Sequence, residues 1–277
     1  MRSEIKFIVE HAFKEDRADI TSRILFSAKD RCKAFVLTKE KGIVCGTAIA
    51  AMAFRRADPG CKIKIYKKDG RAINPGDRVL EVRGKTAGIL TAERKAINFL
   101  QHFSGVATFT SKFVHAVKGT RSRIYDTRKT IPGLRKLQKY AVRMGGAQNH
   151  RLNLAEMAMV KDNHLKAVEG AEFKVERLKA RLPKGTLLEI EAKTMKEVKL
   201  ALKSKADIIM LDNMPIPKLK KVIRFIRGFR PKPQIEVSGG VTLKTVGKIA
   251  RLGVERISVG ALTHSAPALD LSLEVEK

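Results

Sequence analysis

Six segments in the C-terminal two thirds of the chain each end an apolar run on polar or glycine residues. They span residues 125–129, 159–164, 188–191, 208–213, 235–240 and 257–261. Each pattern predicts a buried β-strand, and helical patterns of roughly 10–15 residues lie between most of them. Alternation of strand and helix is typical of a parallel sheet, so we predict an α/β fold with a TIM-like barrel, complete or incomplete.

The first part of the chain has a different pattern. Strand-like runs cover residues 34–37, 63–66 and 78–82, and turn-forming residues separate them. Lys64 alternates with apolar neighbours, which indicates an antiparallel sheet with one exposed face. We therefore predict an N-terminal α+β sandwich domain over residues 1–97, joined by the C-terminal tail 266–277. The barrel is predicted to cover residues 98–265.

A helical period begins near the predicted boundary between the two domains. Thr91 is a suitable N-cap, and apolar residues then follow on one face until Ser104 and Gly105 end the predicted helix. A second helix is predicted after them. This places Arg94 in a first helical turn, where the helix dipole disfavours a cation.

Composition restricts the class of protein. The 277 residues include 57 Lys and Arg against 28 Asp and Glu, a net charge of +29, and 44% are hydrophobic. A basic surface can bind nucleic acid, but aromatic residues are only 5% and no nucleic-acid-binding motif accompanies the charge. The sequence has no apolar run near the ~18 residues of a membrane span. Cys32, Cys45 and Cys61 lack metal-type spacing and favour reduced thiols in a cytoplasmic protein.

Several basic residues follow the predicted strands, and an α/β barrel would bring them together at one rim. They are Arg128, Lys129, His150, Arg151 and Lys161. So much like charge destabilises a site that binds no anion, so the group predicts an anion pocket. Acidic neighbours such as Asp126 and Asp162 leave a structural role open for one or two of them.

Carboxylates and glycines complete the predicted rim. Glu189 and Glu191 are two apart on a strand and share a face, and with Asp212 they require a cation, either lysine or Mg²⁺. Glycine in the last barrel loops lets backbone N–H groups approach a phosphate. The candidate phosphate residues are Ser238, Gly239, Gly240, Gly260 and Ala261.

Together these segments resemble the nicotinate-nucleotide pyrophosphorylase family, also called quinolinate phosphoribosyltransferase. The resemblance covers about residues 88 to 265 and rests on residues 91–101, 126–135, 149–151, 161–164, 211–213, 238–240 and 258–265. The motif Asp-Thr-Arg-Lys-Thr-x-Pro-Gly with a downstream Lys-Asp-Asn-His is its most specific part. A related molybdenum-associated pyrophosphorylase shares the first motif but usually lacks the second, and it is the alternative. A non-catalytic barrel that binds anions or nucleic acid also stays open.

The resemblance implies that quinolinate and phosphoribosyl pyrophosphate react to nicotinate mononucleotide, pyrophosphate and CO₂, in NAD biosynthesis. It implies a quinolinate site of Arg94, Arg128, His150, Arg151 and Lys161. It implies a phosphoribosyl pyrophosphate site of Lys129, Glu191, Asp212, Ser238, Gly239, Gly240, Gly260 and Ala261. The implied catalytic residues are Lys161, Arg128, Glu191 and Asp212, and the last two would hold Mg²⁺ indirectly, through substrate phosphates.

The resemblance also implies a quaternary structure. It predicts a homodimer with shared active sites, or a larger assembly of dimers, in which Arg94 enters the site of the neighbouring subunit. No membrane and no specific nucleic acid is expected as a partner.

Overall fold

The computed structural model describes residues 2–16, 18–167 and 170–276. Both predicted domains therefore include positions outside the described residues, namely Met1, Arg17, Val168, Glu169 and Lys277. The chain forms two compact units. The first comprises Met1–Ser111, Thr130–Gly146 and Leu262–Lys277, and the second comprises Lys112–Lys129 and Ala147–Ala261. The predicted domain boundaries at residues 97 and 265 stay predictions.

Strands and helices alternate along much of the described chain. The strands are β1 (Arg31–Thr38), β2 (Gly42–Ile43), β3 (Lys62–Ile65), β4 (Ala72–Ile73), β5 (Arg78–Lys85), β6 (Arg123–Tyr125), β7 (Met157–Val160), β8 (Leu187–Ala192), β9 (Ile208–Asp212), β10 (Gln234–Ser238), β11 (Arg256–Ser258) and β12 (Leu271–Glu276). The helices are α1 (Arg2–Phe13), α2 (Ile20–Leu25), α3 (Thr47–Ala57), α4 (Thr86–Ala116), α5 (Arg135–Met144), α6 (Asp162–Lys166), α7 (Ala171–Glu176), α8 (Leu178–Arg181), α9 (Met195–Lys203), α10 (Ile216–Arg227), α11 (Leu243–Ala250) and α12 (Ala261–His264).

The first unit contains a four-stranded sheet in the order β12-β1-β5-β3. All its neighbouring strands are antiparallel, and the last strand of the chain pairs with the first. Ala34, Val36, Leu80 and Val82 are buried in β1 and β5, where alternate side chains point to one face. The three strands predicted in the N-terminal region are confirmed.

The predicted break in the helix at Ser104 and Gly105 is wrong, because α4 continues through both residues for 31 residues in all. The hydroxyl of Ser104 accepts a hydrogen bond from the backbone N–H of Cys45 (2.9 Å) and donates one to its carbonyl (3.1 Å). A Cβ on Gly105 would lie 2.1 Å from the carbonyl oxygen of Pro267. Small residues at these two positions therefore permit close approach of the backbone, and neither ends the helix.

The second unit contains a parallel sheet in the order β6-β11-β10-β9-β8-β7. Its six strands are the six that the apolar runs predict, and the α/β fold class is confirmed. In the described part of the chain the sheet has six strands rather than the eight of a complete TIM barrel. Leu188, Ile190, Ile209, Leu211 and Ile235 are buried in its central strands.

Amphipathic helices connect the strands and orient their ends. Val222 and Ile226 on α10 and Val246 on α11 are buried, while the remaining faces are charged. At the start of α9, Thr194 and Glu197 form a capping box. The box satisfies helix N–H groups and fixes the chain that leaves β8. Among the described residues, no helix is both long and apolar enough to cross a membrane.

Candidate active site

The second unit holds every predicted site residue except Arg94. Each follows or ends one of the six parallel strands or lies in the 147–151 loop, so these residues are delivered to the carboxyl edge of the sheet. A basic residue or a carboxylate accompanies the ends of β6, β7, β8 and β9, and glycine follows β10 and β11.

Asp126 fixes the loop that carries two of the predicted cations. Its buried carboxylate directly follows β6 and accepts hydrogen bonds from the backbone N–H of His150 (2.8 Å) and from Nδ2 of Asn149 (2.7 Å). The backbone N–H of Gln148 donates to the carbonyl of Ile124 (2.8 Å). Asp126 is therefore a positioning residue for this loop.

Arg128 and Arg151 are half-buried and close enough for their charges to interact. Burial first, and then the charge of Arg128, lower the pKa of Arg151. Nη1 of Arg151 donates to the carbonyl of Met157 (2.9 Å), whereas Nε of Arg128 is buried without a hydrogen-bond partner. Within the described part of the chain, neither guanidinium is paired with a carboxylate. Two partly desolvated guanidinium groups with unused donors are suited to a dicarboxylate.

His150 lies deeper than the resemblance implies. Its Nε2 is 3.0 Å from Oε2 of Glu189 and 3.5 Å from Oε1 of Glu236, and both carboxylates are fully buried. Glu236 also binds Nε of Arg256 (2.5 Å) and accepts a hydrogen bond from the hydroxyl of Ser258. These five residues form what we call the buried charge cluster. The assignment of His150 to quinolinate stays a prediction, since its Nε2 faces these carboxylates.

Burial and the charges within the buried charge cluster shift the pKa values of its members. Burial lowers the pKa of His150, but hydrogen bonds and charges from Glu189 and Glu236 outweigh it and raise the pKa to about 9. Burial and the charge of Glu236 raise the pKa of Glu189. Burial also opposes ionisation of Glu236, but His150 and Arg256 hold its pKa below the usual value. The backbone N–H of Arg151 donates to Nδ1 of His150 (2.9 Å), and Nε2 faces Glu189.

Two sets of carboxylates could bind a metal. Single ligand atoms of His150, Glu189 and Glu236 lie within 4.8 Å of one another, but Glu236 is already paired with Arg256 there. Glu191 and Asp212 lie instead at the ends of β8 and β9, with partly accessible side chains. Hard oxygen donors that leave room for substrate phosphates fit Mg²⁺.

Lysines contact this carboxylate pair. Nζ of Lys161 is 3.1 Å from Oε2 of Glu191. Nζ of Lys193 is 3.5 Å from Oε1 of Glu191 and 3.7 Å from Oδ2 of Asp212. Lys193 also donates to Asp162 (2.9 Å), and this hydrogen bond is the main cause of the lowered pKa of Asp162. The sequence predicted a cation at these carboxylates, and in this structure Lys161 and Lys193 provide the positive charge.

The loop after β10 has the geometry that glycine permits. Gly239 and Gly240 have φ angles of +86° and +59°. A Cβ on Gly239 would lie 2.4 Å from Oδ1 of Asn213, whose backbone N–H donates to the carbonyl of Ser238 (3.0 Å). Nδ2 of Asn213 donates to Asp212 (2.8 Å). The glycine loop and the Asp212 carboxylate are therefore coupled through one asparagine.

Two further positions complete the predicted phosphate site. Gly260 follows β11, and Ala261 begins α12. The backbone N–H of Val259 donates to the carbonyl of Tyr125 (2.9 Å), which holds this end of β11 against β6.

The helix-dipole argument about Arg94 is wrong. Because α4 begins at Thr86, Arg94 lies eight residues into the helix (94 − 86) and beyond its first turn. Its side chain is exposed in the first unit. Its role in a neighbouring site therefore depends on the family resemblance alone.

Comparison with known proteins decides the family. Two models match, the N-terminal domain of quinolinate phosphoribosyl transferase over residues 19–104 and its C-terminal domain over residues 106–274. The chain belongs to the quinolinate phosphoribosyltransferase family. Its sequence is 39% identical over 245 residues to a probable carboxylating nicotinate-nucleotide pyrophosphorylase of Synechocystis, covering 88% of this chain and 83% of that protein. A relative from Bacillus subtilis with the same description is 37% identical over 98% of this chain and 93% of its own length.

A solved structure supports the same conclusion. The nicotinate-nucleotide pyrophosphorylase of Francisella tularensis superposes with a TM-score of 0.90 at 35% identity, covering 100% of this chain and 97% of that one. The family, the fold class and the enzyme class expected from the sequence are confirmed.

Sequence reasoning missed Glu236, Arg256 and Lys193 as members of the site. Glu236 alternates with Ile235 and Val237, and the alternation resembles a strand with one solvated face. The available signal was the position of its strand, since both faces of a central parallel strand are buried. Lys193 directly follows β8, and a basic residue there was no more conspicuous than the many other lysines.

Proposed function

We propose that this chain binds quinolinate with Arg128 and Arg151 and places phosphoribosyl pyrophosphate along the ends of β8 to β11. The chain is a phosphoribosyltransferase that uses quinolinate in NAD biosynthesis, as its family membership establishes. The observation that carries the residue assignment is the pair of half-buried guanidinium groups, which have no carboxylate partner in the described part of the chain. The names of the relatives, which are carboxylating nicotinate-nucleotide pyrophosphorylases, favour this function over the molybdenum-associated alternative.

The arginines orient the acceptor. Quinolinate carries two neighbouring carboxylates, and a guanidinium binds a carboxylate with two parallel N–H donors. The unused Nε of Arg128 provides such a donor, and the lowered pKa of Arg151 reflects a site that gains from a bound anion. This orientation directs the ring nitrogen at the anomeric carbon of the ribose.

The transfer forms one bond and breaks another. The ring nitrogen donates its electron pair to the anomeric carbon, and the bond to the pyrophosphate oxygen breaks with its electrons leaving on pyrophosphate. When bound at Glu191 and Asp212, Mg²⁺ supplies charge stabilisation for the pyrophosphate. Lys129 and the N–H groups of the Ser238, Gly239 and Gly240 loop, with Gly260 and Ala261, are proposed to hold the phosphates.

Decarboxylation follows from the charge on the ring. Once the nitrogen is alkylated, the adjacent carboxylate leaves as CO₂, its electron pair stays on the ring carbon, and a proton replaces it. A nearby cation stabilises that carbon, and Lys161 and Arg128 are proposed for this role. Lys161 is suited to it because its side chain is half exposed and its Nζ lies at the edge of the sheet, 3.1 Å from Oε2 of Glu191.

The reaction can be tested with quinolinate labelled at the 2-carboxylate. With phosphoribosyl pyrophosphate and Mg²⁺, the protein is expected to release labelled CO₂ and nicotinate mononucleotide in equal amounts. Nicotinate, which lacks the 2-carboxylate, is the matched control and should be a poor acceptor. Equal use of both acids would contradict the proposed dicarboxylate site.

We also propose a homodimer with shared sites, or an assembly of such dimers, with Arg94 completing the site of the neighbouring subunit. Arg94→Ala and Lys161→Ala should each be inactive, and mixing them should restore part of the activity, because one site then has both intact residues. No recovery after proven subunit exchange would place Arg94 elsewhere.

A cytoplasmic location belongs to the same proposal. Cys32, Cys45 and Cys61 are free thiols, which suits a reducing compartment. Fractionation of the source cells, with detection by antibody, tests it. Recovery of the protein outside the cytoplasmic fraction would contradict it.

A further inference from the structure

Three carboxylates at the ends of three neighbouring parallel strands share one ammonium group. Nζ of Lys193 is 2.9 Å from Oδ2 of Asp162, 3.5 Å from Oε1 of Glu191 and 3.7 Å from Oδ2 of Asp212. A single exposed ion pair of a surface lysine contributes little to stability. Convergence of three carboxylates on one Nζ is instead the arrangement that surrounds a bound cation.

Two hydrogen bonds hold the backbone of Lys193 in place, whereas its ammonium group can move away from the three carboxylates. Its N–H donates to Oε2 of Glu197 in the capping box (2.6 Å), and its carbonyl accepts from Nζ of Lys218 (2.7 Å). Its side chain is 41% exposed, so it is only partly enclosed by its neighbours. A four-carbon stem with many rotamers allows Nζ to move away from the carboxylates.

The charges show why a metal ion and this lysine compete. Asp162, Glu191 and Asp212 contribute three negative charges, and Lys193, Lys161 and Lys166, which lies 3.7 Å from Asp162, balance them. A divalent ion near Glu191 and Asp212 would therefore approach Nζ of Lys193. At about 4 Å and a water-like dielectric constant, that repulsion lowers affinity roughly thirty-fold.

We propose that the ammonium group of Lys193 occupies the carboxylate site that would bind Mg²⁺. The ammonium group and the divalent ion then compete for the same carboxylates. The inference rests on the proposed assignment of Mg²⁺ to Glu191 and Asp212. The ion then binds fully only when Nζ of Lys193 moves away from them. Lys193 is in this sense a positioning residue that sets the concentration of free metal ion that the protein requires.

Binding of Mn²⁺ to the substrate-free protein, followed by electron paramagnetic resonance, tests the proposal without any turnover. Mn²⁺ is the probe because it prefers the same oxygen ligands as Mg²⁺. Lys193→Met should bind Mn²⁺ about ten-fold or more tightly than the wild type. Lys193→Arg, which keeps the charge, should resemble the wild type.

Two controls identify the site. Lys218→Met removes an equal charge from a lysine whose Nζ donates to the backbone carbonyl of Lys193, and it should leave Mn²⁺ affinity within about two-fold of the wild type. Adding Asp212→Asn to Lys193→Met should abolish the gain. Lys193→Gln replaces Lys193→Met if the latter fails to fold, as judged by circular dichroism.

Three results would overturn the proposal. These are no gain in Lys193→Met, an equal gain in Lys218→Met, or a gain that survives Asp212→Asn. The proposed function is tested separately by release of labelled CO₂ from the wild type. A protein that binds Mn²⁺ as expected but never converts quinolinate would refute the function and not the competition at the carboxylates.

Discussion

Arg256 supplies the fixed positive charge of the buried charge cluster, and replacing it by methionine should destabilise the protein strongly near neutral pH. Glu236 is fully buried, and Nε of Arg256 lies 2.5 Å from its Oε2. Methionine retains much of the side-chain volume but leaves Glu236 without this partner. Breaking a buried pair by removing one member typically costs about 3–5 kcal/mol.

The structure narrows this range for the loss in the free energy of unfolding. Without Arg256, Glu236 can escape the penalty by taking up a proton. The ordinary pKa of 4.5 for this carboxyl group is 2.5 pH units below pH 7, so its protonation at pH 7 costs about 3.4 kcal/mol, at about 1.36 kcal/mol for each unit. At pH 5 the same step costs only about 0.7 kcal/mol. The loss should therefore be about 3 kcal/mol at pH 7 and should shrink towards pH 5.

Urea denaturation of wild type and Arg256→Met at pH 5, 6 and 7, followed by circular dichroism, measures the effect. Arg224→Met is the matched control because Arg224 is exposed on α10, and it should change the free energy of unfolding by less than about 0.5 kcal/mol. In a double-mutant cycle, Arg256→Met with Glu236→Gln should lose less than the two single losses combined.

A loss that does not vary between pH 5 and pH 7 would refute the reasoning. It would assign the effect to packing instead, since the guanidinium of Arg256 also lies 3.7 Å from the ring centroid of Tyr125. A loss equal to that of Arg224→Met would contradict the importance of the buried pair altogether.

Two glycines and one histidine give further tests. Gly239→Ala should weaken phosphoribosyl pyrophosphate binding at least about ten-fold, measured by calorimetry, and leave quinolinate affinity unchanged. The added Cβ would lie 2.4 Å from Asn213, and φ at this position is +86°. An unchanged affinity for phosphoribosyl pyrophosphate would argue against a phosphate site in this loop. Gly105→Ala should destabilise the protein by about 1–3 kcal/mol in urea, because its Cβ would lie 2.1 Å from a carbonyl oxygen; wild-type stability would show that the helix can shift. The raised pKa of His150, about 9 against 6.5 when unfolded, contributes stability below pH 6.5 that is lost as the pH rises through 9. The free energy of unfolding should fall less over this interval in Glu189→Gln, and equal slopes would contradict the contribution of Glu189 to the raised pKa.

The sheet of the second unit was predictable because its signal is local. An apolar run of four or five residues that ends on polar or glycine residues is sufficient to indicate a buried parallel strand. All six such runs became strands, and parallel pairing then determined which residues share an edge. The topology alone therefore predicts that the site residues lie at the carboxyl edge of the sheet, without knowledge of any side-chain contact.

The long helix α4 was not predictable from the same kind of signal. Ser104 and Gly105 have low helix propensity and read as a stop. Their partners, Cys45 and Pro267, are distant in sequence, and only tertiary packing shows that the small side chains permit contact. Because the helix start was also predicted too late in the sequence, Arg94 was placed in a first helical turn, and the structure does not support the argument from the helix dipole.

The buried charge cluster was only partly visible in the sequence. His150 was expected to face a substrate, which stays a prediction, and the sequence did not indicate that its Nε2 lies near Glu189 and Glu236. Glu236 and Arg256 are register partners on β10 and β11. Strand register decides this pairing, and the sequence does not reveal the register before the strand order is known.

Quinolinate affinity measured by isothermal titration calorimetry tests the central claim, that Arg128 and Arg151 form the dicarboxylate site. Arg128→Ala and Arg151→Ala should each lose about 1.5–3 kcal/mol of binding free energy, roughly 10- to 150-fold in Kd, with the fold intact. Arg224→Ala is the control and should bind as the wild type does. Near-wild-type affinity in both Arg128→Ala and Arg151→Ala would contradict the claim.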